Sequence, residues 1–123
     1  MQGKRYTVED ANELLPRLAP ALVELRDKFE AAAAIRARVA RAAAGNGHPR
    51  SGEDEQRMLA RVAELLGRIQ EWGLELRDVS TGLVDFPAEM HGQPAYLCWR
   101  LGEPEVAHWH SPEDGFQGRR PLG

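Results

Sequence analysis

The sequence predicts an α+β fold: a long antiparallel helical hairpin, then a small antiparallel meander of about four strands. Three observations carry that reading. Apolar residues recur every three to four positions as far as Trp72, and Gly45-Asn46-Gly47-His48-Pro49-Arg50-Ser51-Gly52 interrupts them once. After Gly73 the period falls to about two. The hairpin is expected over about 8–72, the sheet over about 74–111 and an irregular tail over 112–123, all within one domain.

Thr7 followed by Asp10 reads as a helix start, with a hydroxyl to cap an orphan N–H and a carboxylate at the positive end of the helix. Pro16 and Pro20 each lack an N–H and crowd the carbonyl four residues back. The expectation is therefore a short N-terminal helix at about Val8 to Leu15 and a long one from near Pro16, where proline suits a first turn. Leu15, Leu18, Leu22, Leu25, Phe29 and Ala32 form its seam, which then slips to Ile35, Val39 and Ala42. The second helix opens on Glu53, Asp54 and Glu55. Its seam is Met58, Val62, Leu65, Ile69 and Trp72, widened by Leu59 and Leu66, and Gly73 sits just past its end.

Four strand-like runs follow: Leu74 to Val79, Leu83 to Phe86, Ala95 to Leu101 and Val106 to His110. The breaks hold Ser80-Thr81-Gly82, Pro87, His91-Gly92-Gln93-Pro94 and Gly102-Glu103-Pro104-Glu105, short connections that favour a meander. Phe116 and Leu122 are the residues able to pin the tail to the body.

Composition excludes several classes of function. Hydrophobic residues at 42% and charged residues at 28% suit a folded globular chain, and a net charge of −3 with scattered basic residues argues against a nucleic-acid partner. No run approaches the roughly 20 apolar residues that span a bilayer, so no membrane partner is expected. Met1 to Thr7 holds no apolar signal core, and Cys98, the single cysteine, leaves no internal disulfide; both point to a cytoplasmic protein.

The runs GLVDFP (Gly82 to Pro87), YLCWRLGE (Tyr96 to Glu103), WH (Trp109-His110) and GFQGRRPL (Gly115 to Leu122), with the opening YTVEDANELLPRL, carry a family resemblance. The chain resembles the uncharacterised prokaryotic family known as domain of unknown function twenty-two-oh-three. That resemblance implies the domain limits and no activity.

Three groups of residues offer chemistry. His108 and His110, two apart on a strand, share a face at about 7 Å and can hold one metal, or stand as an exposed pair beside Trp109. Asp85, Cys98 and Arg100 are the second group. An odd number of loop residues after Leu101 places Cys98 opposite His108, and an even number places Trp99 there. Pro104 fits poorly in a two-residue turn, which favours the odd register. Here Cys98 is a ligand or a small buried hydrophobe, and Asp85 a ligand or the partner of an arginine. The third group is Arg119-Arg120, where Arg119, like Arg100, can hold an anion or be solvated. The Walker loop, the dinucleotide fingerprint, paired CxxC and HExxH are all missing.

Two readings of function follow. One is a non-enzymatic binding or assembly module. At 1.5 Å per residue the long helix would run about 40 Å against about 30 Å for its neighbour. That mismatch and the two seams predict a homodimer through the helices. The other is a metal- or small-ligand-binding protein, with a divalent ion such as zinc on the sheet face around His108, His110, Cys98 and Asp85. Catalysis is open under the second.

Overall fold

The computed structural model describes residues 5–44 and 52–123. Residues 1–4 and 45–51, the latter holding most of the expected interhelical loop, lie outside the described residues. Helix α1 (Val8–Ala44) is followed by α2 (Gly52–Glu71), β1 (Glu75–Asp78), β2 (Leu83–Met90), β3 (Gln93–Arg100) and β4 (His108–His110). A 3-10 turn (Phe116–Gly118) and β5 (Arg120–Pro121) close the chain. The strands form one antiparallel sheet in the order β1-β2-β3-β4-β5, a meander of five strands. No described helix is long and apolar enough to cross a membrane.

The helix start holds: Asp10 N donates to Thr7 Oγ1 at 3.0 Å, and Thr7 N donates to Asp10 Oδ2 at 3.2 Å, a reciprocal cap. The expected separate N-terminal helix does not form, because α1 runs as one 37-residue helix through Pro16 and Pro20. An interior proline costs about 3 kcal/mol. Both prolines are exposed, four residues apart on one side of the helix. Ala11, Leu14, Leu18 and Leu22 meanwhile bury the opposite side. Burial of these side chains, at about 1.5–3 kcal/mol for each leucine, outweighs the broken ladder.

Phe29 does not join the seam; it is 48% exposed. The buried stripe passes from Leu25 to Ala32, a full heptad on, and then to Ile35, leaving Phe29 at its margin. From α2 it meets Val62, Leu65 and Ile69, whereas Leu66 is exposed. Arg61 clamps the two helices, its Nε and Nη2 donating to Glu24 at 2.7 and 2.8 Å.

The helices cover one face of the sheet. Val84, Phe86 and Ala88 of β2 stand opposite Trp99, Leu97 and Ala95 of β3. Most of these, with Trp109 at the margin, join the leucines of α1 and α2 in one core. Pro87, read as a break, lies inside β2. Its carbonyl accepts the Tyr6 N–H at 2.7 Å, and amide and carbonyl of one strand residue point to the same edge. The missing N–H therefore falls beyond Glu75↔Asp85, where the pairing of β1 ends. His91-Gly92 forms the tight turn between β2 and β3, both residues with positive φ, 54 and 77°.

The tail is more ordered than expected. Leu122 N donates to Ala107 O at 2.9 Å and its side chain packs against the core, while β5 pairs with β4 through His108↔Pro121 and Trp109↔Arg120.

Candidate metal centre on the outer sheet face

Strand alternation turns Asp85, Cys98, His108 and His110 to the face away from the helices. The odd register is the one found: Cys98 pairs with His108, Tyr96 with His110 and Asp85 with Cys98. Asp85, Cys98 and His110 are all buried, and one donor atom from each lies within 4.8 Å of the other two.

His110 is fixed at both nitrogens. Nδ1 lies 2.7 Å from the Ser111 carbonyl oxygen, which can only accept, so Nδ1 carries hydrogen and donates. Nε2 is thereby aimed at the cluster, 3.0 Å from Asp85 Oδ1. The other carboxylate oxygen, Asp85 Oδ2, accepts from Arg77 Nε at 2.8 Å. Arg77 reaches it because the pairing of β1 with β2 shifts between Leu76 and Asp78, a bulge that gives the arginine an extra position. The Asp85 hydrogen bond is the largest influence holding the Arg77 guanidinium above its ordinary range. The Tyr96 ring lies 5.5 Å from His110 and 5.4 Å from the Arg77 guanidinium carbon, and roofs the pair.

Cys98 stands on β3, the strand between those of Asp85 and His110, directly opposite Asp85. Burial, then the Asp85 carboxylate, push its thiol up to about 11, against the opposing pull of Arg119. With both His110 nitrogens committed elsewhere, no ring activates the sulfur, and the geometry is not that of a thiolate nucleophile. A consequence can be measured on metal-free protein. Well below pH 9 the thiol is protonated in both folded and unfolded chains. From there to about pH 11 the unfolded chain ionises first, so stability falls as pH rises, by about 3 kcal/mol from this group. Tyr6 and Tyr96 also titrate above their ordinary range. The expected result is therefore a difference: denaturant unfolding from pH 8 to 11 is steeper with pH in wild type than in Cys98→Ala.

His108 stands apart from the three. Its Nδ1 is buried with no hydrogen-bond partner, and the nearest carboxylate oxygen, Glu103 Oε2, is 3.9 Å away. Glu103 is taken up by Arg119, whose Nη1 and Nη2 donate to its two oxygens at 3.2 and 2.9 Å, and by the Arg100 N–H at 2.8 Å. The Arg119 fork thus already holds a carboxylate of its own chain. Its guanidinium carbon lies 4.5 Å from the centre of the Phe116 ring, and that of exposed Arg100 lies 5.6 Å from it.

Of the residues singled out in the sequence, the structure brings Asp85, Cys98 and His110 together, sets His108 beside them, and ties Arg100 and Arg119 into the covering tail. Arg77, Tyr96 and Glu103 were missed. A bulge has no sequence signal of its own, and Glu103 reads as an ordinary turn residue.

The donor set suits a borderline-soft divalent ion: a thiolate, an imidazole and a carboxylate are all zinc ligands. Tetrahedral bonds of about 2.0–2.3 Å place donor atoms roughly 3.3–3.8 Å apart. A cluster within 4.8 Å needs an inward adjustment of about 1 Å. The Nδ1–H···O=C bond to Ser111 is the kind of outer contact that orients a ligating histidine.

The sequence model of the family described as uncharacterized conserved protein (DUF2203) matches residues 4–122 of the chain. No curated protein and no solved structure matches it.

Proposed function

The chain belongs to the DUF2203 family, and we propose that it is a metal-binding module whose outer sheet face holds one divalent ion, zinc by preference. The observation that carries this reading is the buried convergence of Asp85, Cys98 and His110. His110 ligates through Nε2, in place of that nitrogen's present contact with Asp85 Oδ1. Cys98 gives up its thiol proton on binding, so affinity rises with pH. His108, directly across from Cys98 and with an unpartnered Nδ1, is the nearest spare donor for a fourth position. An ion here adds a side-chain link across β2, β3 and β4 on the face away from the helices. Its work in this burial is to hold structure.

The test is elemental analysis of protein purified without a histidine tag, with melting curves before and after chelation and after added zinc. About one zinc per chain is expected, with a melting temperature that falls on chelation. Cobalt loading should give a thiolate charge-transfer absorption that Cys98→Ser abolishes. Wild type that is free of metal and melts alike with and without zinc overturns the proposal.

A further inference from the structure

The far half of the helical hairpin carries a surface the metal site does not explain. The core shared with the sheet ends at Leu25 on α1 and Val62 on α2; beyond them, among the described residues, only the two helices cover one another. An apolar groove opens there, lined by Ala31, Ala34, Ile35, Ala37 and Met58 and edged by Arg38 and Arg41.

The residues around Ala34 are arranged symmetrically in sequence. Ala31 and Ala37 lie three positions either side of it, Glu30 and Arg38 four, Asp27 and Arg41 seven. At 100° per residue all six fall within about 60° of the Ala34 direction, on one side of α1. Ala34, Ala37, Asp27, Glu30, Arg38 and Arg41 are exposed. Glu30, Arg38 and Arg41 make no ion pair among the described residues, and Asp27 pairs only with its neighbour Arg26. The helix thus carries two acids on one side of Ala34 and two bases at matching distances on the other.

We propose that two copies of this chain associate through this face, α1 against α1 and antiparallel, with the twofold axis passing at Ala34. That axis sets Arg38 at the level of the partner's Glu30, Arg41 at the level of the partner's Asp27, and Ala34 against the partner's Ala34. A twofold contact is self-complementary, and each ion pair occurs twice. A parallel or out-of-step pairing loses the match or sets like charges together. The alanines let the helix axes approach to the short end of the 8–10 Å range, and the arginine stems lie along Ile35 and Met58. The partner is a second copy because the charge pattern complements itself.

Charge reversal tests this. Wild type at about 100 μM and low salt should sediment as a dimer of twice the chain mass of 13.7 kDa, and should weaken as salt rises. R38E/R41E should lower the association constant at least tenfold. Adding D27R/E30R to that variant should restore the dimer, since the pairs are swapped and none is lost. In a Cys98→Ala background, Ala34→Cys should form a disulfide-linked dimer under mild oxidation, whereas Ala33→Cys, about 100° around the helix, should not. All the substituted helix positions are exposed, so the folded chain remains the subject of each measurement. A monomer at 100 μM overturns the proposal, as does a dimer that R38E/R41E leaves unchanged or that the four-residue swap does not restore.

Discussion

Trp99→Ala is expected to lower stability by about 3–5 kcal/mol, which for a chain of this size is roughly 10–20 °C in melting temperature. Trp99 is 2% exposed and stands opposite Val84 on the face covered by the helices. Its indole N–H donates to the Glu103 carbonyl at 3.1 Å, so the ring also ties down the turn that follows β3. Truncation leaves a cavity against α1 and a carbonyl without its donor. Small domains are stable by only about 5–15 kcal/mol, so the variant is left near its threshold. Trp109, only partly buried, gives the internal comparison: Trp109→Ala should cost less. Denaturant unfolding of the two variants checks the ranking, and equal losses would show that the helix-facing position carries no special weight.

Asp85→Ala is the other large effect, of about 3–5 kcal/mol, and its cause is electrostatic. Asp85 is the shared partner of His110 Nε2 and of Arg77 Nε, which donates to it, inside the sheet. Its removal leaves His110 Nε2 buried without its polar partner, and breaking a buried pair costs more than forming it contributes. Asp85→Asn keeps the shape and one acceptor oxygen, so it should lose less than the alanine variant. A cycle of Asp85→Ala, Arg77→Ala and the double variant, followed by urea unfolding, measures the coupling. Losses that simply add would mean that Arg77, with its side chain 43% exposed, is solvated and not coupled.

Much of this was legible because the signals are periodic. Leu18, Leu22 and Leu25 against Val62, Leu65 and Ile69 follow from spacing alone, as does the change of period after Gly73. The prolines misled because the rule that breaks a helix is local, and the burial that overrides it comes from α2 and the sheet. β5 was invisible because two residues, one of them Pro121, have no alternation to read. The site was half legible. Residue type and alternation placed Cys98, His108 and His110 on one face, and Pro104 favoured the right register. Asp85, though, is drawn to His110 only once β2 lies beside β3. Arg77 depends on a bulge, and the Ser111 carbonyl on a backbone direction. None of these is encoded by side-chain identity.

The sheet's two borders also decide how it meets other sheets. One border is β1, four residues long and kinked by the bulge at Arg77; the other is β5, two residues long and ending in Pro121, which has no N–H to offer. A border that is short, twisted or lacking donors cannot template a further strand, and natural sheets use all three devices against runaway stacking. Growth by edge-on-edge addition, the route to fibres, is closed at both ends of the meander.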